Sequence, residues 1–523
     1  MAVTAFKRAK PFFACIVGLI AAVISFRRGL GAQSEQFTPV IGKNNTVLFI
    51  TNIEHGLSNV HVATVYSLLE RHPDITIHFA SWSKIKPKID RITIYARRKT
   101  PQARSVVFHD LPGPNFQEAS GRNSSLSWMQ PPGIAGLAGL NEDMAQFISP
   151  WSGEDHLLIY ESIRDHIRNI DPAIVVLDMF HRPGMDATRG DGRLHAILSP
   201  NVLADCFAGD QPWLKGFWKF PAVGSGHEFP VPWRDIPTNI YQMGSFAWTM
   251  MFNAELNEKR KFLASHGLKD PINFFNIHQP GKGAFITQHT PAAAIPLDFL
   301  PANVTTTGPI VISGTSAEEQ DPELAAWLTK APTVLVNLGS LFEYDTGRAQ
   351  DMAGALKVVM ERTEVQVLWK LNRAASLKDE DWKPLVDKFI RNDRLRVSKW
   401  LTVDPTALLE TGDIVVSVHH GGANCYHEAI STGVPQLILP AWLDLYNYAA
   451  RVEAIDIGVW GNRQSAPAFS LSELSSAFLK LVDGGSASLS MSQNAKKIQR
   501  TISRPGRDVA ADEIARLAAL GHS

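Results

Sequence analysis

Short apolar runs punctuate this chain, and between them apolar residues recur at the spacing of a helix. Residues 47–51 (VLFIT), 75–80 (ITIHFA) and 174–177 (IVVL) are runs of the first kind. A strand covered on both faces reads this way, because neither of its faces meets water. Directly after the first run, Val62, Val65, Tyr66 and Leu69 fall at i, i+3, i+4 and i+7. That spacing lines one face of a helix. A second helix is predicted near residues 157–170, just ahead of the run at 174–177. Strands alternating with helices predict a doubly wound parallel sheet.

The rhythm stops and starts again. Residues 291–308 (PAAAIPLDFLPANVTTTG) have linker composition, and beyond them strands are predicted at 334–336, 365–369, 395–397, 414–418 and 434–439, with a helix at 348–362. A chain of 523 residues is too long for one core. The fold class is therefore α/β, with two Rossmann-like domains facing across a cleft, at 45–305 and at 306–523 with its C-terminal helices. Residues 111–150 and 201–237 are rich in Pro, Gly, Ser and Trp and read as long loops, which in compact domains usually serve function.

The first residues differ in character. Residues 11–26 (PFFACIVGLIAAVISF) are uncharged and mostly apolar, between Lys7, Arg8 and Lys10 on one side and Arg27 and Arg28 on the other. The stretch falls short of the ~20 residues of a full span, yet no good small-residue cleavage site follows it. The expectation is an N-terminal membrane anchor and linker over residues 1–44, hence a single-pass membrane protein of the endoplasmic reticulum. A cleaved signal peptide and a packing helix are the alternatives. Asn44, Asn123 and Asn303 stand in N-x-S/T sequons, which carry sugar only if the body is lumenal.

Charge narrows the partners. Lys and Arg number 51, as do Asp and Glu, and the basic residues are dispersed. A nucleic-acid binder would present a basic face instead. Cys15, Cys206 and Cys425 are too few and too scattered for a disulfide framework or a zinc site, and no CxxC or HExxH spacing occurs. No metal and no cofactor are implied.

The chemistry concentrates in residues 416–463 (VSVHHGGANCYHEAISTGVPQLILPAWLDLYNYAARVEAIDIGVWGNR). A strand ends at His419-His420-Gly421-Gly422 and a helix follows from about Ala423. The free N–H groups and the dipole of such a helix start bind phosphate. Glu428 lies too far into the helix to cap it, but its carboxylate can accept hydrogen bonds from the vicinal hydroxyls of a ribose. After the next strand, Asp444 offers a second acceptor to a further polyol.

The stretch resembles the donor-binding pattern of family 1 UDP-glycosyltransferases, HGGxNSxxEAxxxGVPxxxxPxxxDQxxNA. It matches at His420, Gly421, Gly422, Asn424, Glu428, Ala429, Gly433, Val434, Pro435, Pro440, Asp444 and Ala449. It departs at Cys425, where the family has Ser, at Leu445 for Gln, and at Tyr448 for Asn. The segment DLYNYAARVE is similar to the filamentous-fungal branch. The resemblance spans about residues 46–481 and implies the GT-B fold. It also implies an inverting, metal-independent transfer of a hexose, glucose first, from a UDP-sugar to a hydroxyl of a small lipophilic acceptor such as a secondary metabolite or sterol-like alcohol.

The resemblance further implies roles. Transfer to a hydroxyl needs a general base, and the family places a His where His55 follows the first strand. His61 and His72 are the alternatives. A carboxylate on the far nitrogen would stabilise the imidazolium, and Asp178, at the end of AIVVLD, is the candidate, with Asp186 as competitor. On the donor side Trp400 would stack on uracil, and Ser340 would donate to the diphosphate. His420, Gly422, Asn424 and Cys425 would hold the diphosphate, Glu428 the ribose and Asp444 the sugar. Trp128, Trp151, Trp213, Trp218, Trp233 and Trp248 all fall in the acceptor half. Most are expected to be core. A non-catalytic sugar-nucleotide-binding protein is the alternative reading. A serine hydrolase would need a G-x-S-x-G elbow, which is missing.

Overall fold

The structure, a computed structural model, describes residues 38–121, 124–273 and 283–523. The first sheet contains β1 (Lys43–Ile50), β2 (Thr76–Ser81), β3 (Val107–Asp110), β4 (Pro172–Leu177), β5 (His195–Ser199), β6 (Ala284–Thr287) and β7 (Val304–Thr306). The second contains β8 (Thr333–Val336), β9 (Gln366–Lys370), β10 (Leu395–Ser398), β11 (Ile414–His419), β12 (Gln436–Ile438) and β13 (Gly458–Trp460). Every named pairing is parallel. The orders are β3-β2-β1-β4-β5-β6-β7 and β10-β9-β8-β11-β12-β13. Each sheet therefore reverses direction once, between β1 and β4 in the first and between β8 and β11 in the second. Ligands of such sheets bind at the carboxyl ends of the strands at that reversal.

The runs form strands for the reason their pattern gives. In β1, Val47 and Phe49 pack with the helix His55–Arg71, while Leu48 and Ile50 pack on the other face with the helix Gly153–Ile170. The last helix, Gly506–Ala518, leaves the second half of the chain and returns to the first sheet. Ala510, Ala511, Ile514 and Leu517 bury there, and Asp508 accepts a bond from Ser67. Buried side chains the size of Ile514 and Leu517 contribute roughly 1.5–3 kcal/mol each, so this helix straps the two halves together.

Three expectations change. Residues 111–150 are not one loop: Leu137–Ile148 is a helix whose Leu137, Leu140, Met144 and Ile148 bury along one face, a period hidden by the Pro and Gly on its flanks. Residues 201–237 likewise hold short helices at Leu203–Phe207 and Lys215–Trp218. The linker-like 291–308 contributes β7, which pairs with β6 because Val304, Thr305 and Thr306 are β-branched. The single-pass membrane expectation is also corrected. Among the described residues no helix is long and apolar enough to cross a membrane. The predicted anchor at 11–26 lies outside the described residues, as does the sequon at Asn123.

Candidate active site

The second sheet builds its half of the site within two turns. After β11, His419 turns its ring back into the protein, where Nδ1 accepts the Gly421 N–H (3.1 Å) and Nε2 meets Gln436 Oε1 (2.9 Å). The sequence paired His419 with His420 as one motif, but only His420 reaches the cleft. Gly421 has φ +97°, and a Cβ there would lie 2.8 Å from Ile438, so the turn requires glycine. The helix Ala423–Thr432 then starts at Gly422 with no side-chain cap. Its first-turn N–H groups have no intrahelical partner and face the cleft, as an anion site needs.

The turn after β8 lies against it. Gly339, at φ +87°, sits so close to the His420 ring that a Cβ would fall 2.7 Å from it. Ser340 therefore stands beside the helix start. Burial, with His419 and Lys370 nearby, holds the His420 imidazole well below its ordinary pKa, so the ring is neutral. Trp400, 53% exposed, presents its face to the cleft beyond β10. Lys370, the last residue of β9, lies 3.8 Å from the centre of that ring and donates to the Gly339 carbonyl at 2.8 Å. Sequence reasoning missed this lysine, although a lone charge closing the run QVLWK at a strand end was the available signal.

Glu428 and Asp444 also line the cleft, and burial pushes both carboxyls upward. Glu428 rises to about 7, with Lys88 opposing and Asp404 adding to the effect. Asp444 rises through burial and the nearby Asp205. Asn201 Nδ2 donates to both, at 3.2 Å to Asp444 and 3.3 Å to Asp205, and Tyr448 Oη donates to Asp205 at 2.9 Å. Tyr448, one of the departures from the family pattern, thus reaches a partner on the first domain. Nothing local in the sequence marks Asp205. Cys425 lies in the helix's first turn, and burial pushes its thiol up, so it is present as the thiol.

The first domain brings Glu54 and His55 into the same cleft, which measures about 780 Å³. His55 opens the helix His55–Arg71, and Asn424 Nδ2 donates across the cleft to its carbonyl (2.8 Å) and to that of Gly56 (3.3 Å). Its ring lies 5.8 Å from the Trp400 ring, and Nδ1 lies 3.4 Å from Lys88 Nζ. The depth of the site, with Lys88, Lys370 and Arg91 around it, lowers the imidazole pKa to about 3.

The expected His55–Asp178 pair is not formed. Asp178 is 1% exposed and gives its carboxylate to the strand ends instead. Oδ2 accepts from the Asn52 N–H (3.2 Å), Asn52 Nδ2 (2.9 Å) and Thr51 Oγ1 (3.4 Å), and Oδ1 from the Phe180 N–H (2.9 Å). A carboxylate at the end of β4 lies within reach of the unpaired N–H groups that leave β1, and these claim it first. Asp186, the competitor, is buried against His156 (3.0 Å) and accepts the Ile272 N–H. It sits inside the helix Arg182–Gly190, which His181 caps. His61 is buried within its helix against Phe49, and His72 pairs with Asp512 at 2.7 Å.

The rest of the cleft is apolar, walled by Phe116, Trp128, Met144, Phe147, Phe180 and Phe246. Of the six tryptophans singled out, only Trp128 lines it. Trp151 is core, but Trp213 and Trp233 are 83% and 84% exposed, and Trp218 and Trp248 are exposed as well. The expectation of mostly core tryptophans fails because Trp213 and Trp218 sit on short surface helices, Trp233 in a turn, and Trp248 on the outer face of the helix Ile236–Phe252. Among the described residues no group of three or more His, Cys, Asp or Glu is arranged to hold a metal ion.

Comparison with known proteins accords with this geometry. Residues 379–513 match the family model for the C-terminal domain of erythromycin biosynthesis protein CIII-like proteins. The chain is 35% identical over 457 residues to glycosyltransferase sdnJ of Sordaria araneosa, covering 84% of this chain and 88% of that protein. It is 27% identical over 237 residues to a UDP-glycosyltransferase of Talaromyces amestolkiae, 42% of this chain and 43% of that one. In fold it is similar to a UDP-glucosyltransferase from Polygonum tinctorium capable of glucosylating indoxyl, with TM-score 0.61, 16% identity, and coverage of 90% and 98%. A UDP-glucose: anthocyanidin 3-O-glucosyltransferase gives TM-score 0.58 at 14% identity, covering 92% of this chain and all of that one. With two Rossmann-like domains in the GT-B arrangement, the donor motif at their cleft and this relationship over most of its length, the chain belongs to the family 1 UDP-glycosyltransferases and uses a UDP-sugar as co-substrate.

Proposed function

We propose that the protein transfers a hexose, glucose first, from its UDP-sugar to a hydroxyl of a small lipophilic acceptor such as a secondary metabolite or sterol-like alcohol, with inversion. One observation carries the reading: a single cleft holds an uncapped helix start, a half-exposed Trp face, and an apolar wall beside the turn that follows β1. In this reading uracil stacks on Trp400, the ribose hydroxyls donate to Glu428, and Asp444 receives hydroxyls of the sugar. The acceptor lies among Phe116, Phe147, Phe180 and Phe246. Its oxygen loses a proton to a base on the turn after β1, where the sequence expects His55, and attacks the anomeric carbon from the face opposite the diphosphate. An α-linked donor then gives a β-glycoside.

The departing diphosphate gains negative charge. In this reading the N–H groups of Asn424 and Cys425, the Ser340 hydroxyl and the neutral His420 ring receive it without reorganisation. The test is UDP release from a panel of UDP-sugars with lipophilic alcohols and phenols, with the anomeric configuration of any product read by NMR. Tight donor binding with no release across the panel would favour the non-catalytic reading instead. A retained anomeric configuration would overturn inversion.

A further inference from the structure

Two departures from the family pattern, Leu445 and Tyr448, stand one turn apart in the helix Leu445–Ala454 and belong together. Leu445 lines the cleft where the pattern has Gln, and its aliphatic side chain offers a sugar hydroxyl nothing to bond. Tyr448 donates its hydroxyl to Asp205 Oδ2 at 2.9 Å, and Asp205 belongs to the first domain and lines the same cleft. A polar group that the second domain lacks beside Asp444 is therefore matched by a carboxyl brought in from the first.

The local geometry turns Asp444 toward this corner. Asp444 begins its helix, yet its carboxyl caps none of the helix N–H groups. The residue before it, Leu443, is held at φ +45°, a strained conformation of the kind that collects at functional turns. Asn201 Nδ2 holds the Asp444 carboxyl instead, at 3.2 Å, and also donates to Asp205 Oδ2 at 3.3 Å. An amide nitrogen has two hydrogens, so one side chain ties both carboxyls. Asn201 is itself fixed, its N–H donating to Ser199 Oγ at 3.2 Å and its carbonyl accepting from Thr287 Oγ1. The N–H groups of Val202 and of Asp444 itself also meet the two carboxyls, the first on Asp205 and the second on Asp444. Among the described residues the side-chain donors all fall on Oδ2 of each carboxyl, and neither Oδ1 receives one.

We infer that Asp205 is a sugar-selecting residue, its carboxyl and that of Asp444 gripping two hydroxyls of the transferred hexose, one held from each domain. The inference rests on the donor reading above and adds to it the share of the first domain. Burial raises both carboxyls, and the nearby Asp205 adds to the rise of Asp444. Two neighbouring carboxyls resist ionising together, so the pair keeps a proton. One oxygen then donates to a sugar hydroxyl while the others accept, which suits hydroxyls, each of them both donor and acceptor. Cys206 and Trp442 beside the pair give it no polar alternative. A sugar without a hydroxyl at this corner leaves a buried carboxyl unpaired, and a site built to hydrogen-bond rejects such an analogue.

The experiment is calorimetry on the full chain with no acceptor present. It compares UDP with the UDP-hexose that the wild type binds most tightly in a panel. The variants are Asp205→Ala, Tyr448→Phe, Leu445→Gln and the double variant Asp205→Ala with Leu445→Gln. Asp205→Ala should weaken the UDP-hexose by about 10- to 100-fold, the span of a hydrogen bond to a charged group, and UDP by less than about 2-fold. Tyr448→Phe removes only the bond that steadies Asp205, so it should lose less, again on the UDP-hexose alone. Adding Leu445→Gln to Asp205→Ala should recover part of the loss, because Gln returns a polar group beside Asp444. Monodeoxy forms of the hexose then locate the hydroxyl. One of them should bind the wild type as poorly as the parent binds Asp205→Ala, and in Asp205→Ala that form and the parent should bind alike. Equal losses for UDP and the UDP-hexose, or deoxy penalties that are the same in both proteins, would overturn the assignment. Should Asp205→Ala not fold, an unchanged ratio of UDP-hexose to UDP affinity in Tyr448→Phe would do the same. The comparison needs no turnover, so a protein that binds the UDP-hexose but releases no UDP with any acceptor would sink the transferase reading and leave the Asp205 result to stand or fall by itself.

Discussion

The two strand-end turns that face each other across the cleft are built alike and differ in what binds their carboxylates. After β11, the polar groups face outward. His420, Glu428 and the first-turn N–H groups open to the cleft, while the inward ring of His419 settles the turn. After β1, the protein uses its polar groups on itself: Asn52, Thr51 and Asp178 bond one another where the strands end. Only Glu54 and His55 remain for chemistry there. The turn after β11 presents a set of donors and acceptors open to the cleft. The turn after β1 is a strand end whose polar groups bond one another, with Glu54 and His55 left beside an apolar wall. The contrast suits the proposed function, since a diphosphate and a ribose need many polar contacts and a lipophilic acceptor would need few.

The contrast can be broken most directly at Asp178. If it is structural, Asp178→Ala strands the Asn52 N–H, Asn52 Nδ2 and the Phe180 N–H inside the protein. Each buried unsatisfied donor costs ~1–3 kcal/mol, so the stability measured by chemical denaturation should fall by about 3 kcal/mol or more. Unchanged stability with a collapsed kcat would restore the His55–Asp178 pair.

Trp400 tests the donor side. Stacking of a base on an aromatic ring is worth ~1–3 kcal/mol. Trp400→Ala should therefore weaken UDP by about 5- to 140-fold at ~1.4 kcal/mol per decade, read by calorimetry. Loss of less than about 2-fold would place uracil elsewhere.

Glu428→Gln keeps the shape and removes the charge. Hydrogen bonds to charged groups are worth ~1.5–3 kcal/mol against ~0.5–1.5 for neutral ones, which predicts roughly 5- to 30-fold weaker UDP binding. Affinity for 2′,3′-dideoxy-UDP should barely change. Equal losses for both ligands would mean that Glu428 supports the loop rather than the ribose.

The smallest effect is one of pH, and it sharpens the comparison by its two signs. Glu428 has a folded pKa above its unfolded value, raised by burial to about 7. The folded protein therefore holds a proton that the unfolded chain has released. That stabilisation is fully present below the ordinary carboxylate value of 4.5 and is lost as pH rises through about 7. The Tm of the empty enzyme should fall across this window, and the fall should be shallower in Glu428→Gln. UDP-sugar affinity should move the other way, rising as Glu428 becomes charged. A flat affinity profile would show that the ribose does not need the carboxylate.

The sequence alone determined the motif on which the donor reading rests, because that motif is local. Strand, glycine turn, helix start, Glu428 and Asp444 follow one another between residues 414 and 444, and backbone geometry aims them at one point whatever the rest of the chain does. The doubly wound pattern was equally legible from the uninterrupted runs of β1, β4, β8 and β11. Short strands such as β3 and β7 were not, since three or four residues are too few to show a period. Tertiary structure decided everything that joins distant segments. It sent Asp178 to Asn52 rather than to His55, 123 positions away, and it brought Asn201 to Asp444 and Asp205 to Tyr448. It also folded Gly506–Ala518 back against β1 and set Glu54 against Gln117. Side-chain partners are chosen by whichever buried donor lies nearest in space, and buried polar groups must be satisfied. A motif shows which chemical groups are available, and packing settles which of them remain free to act.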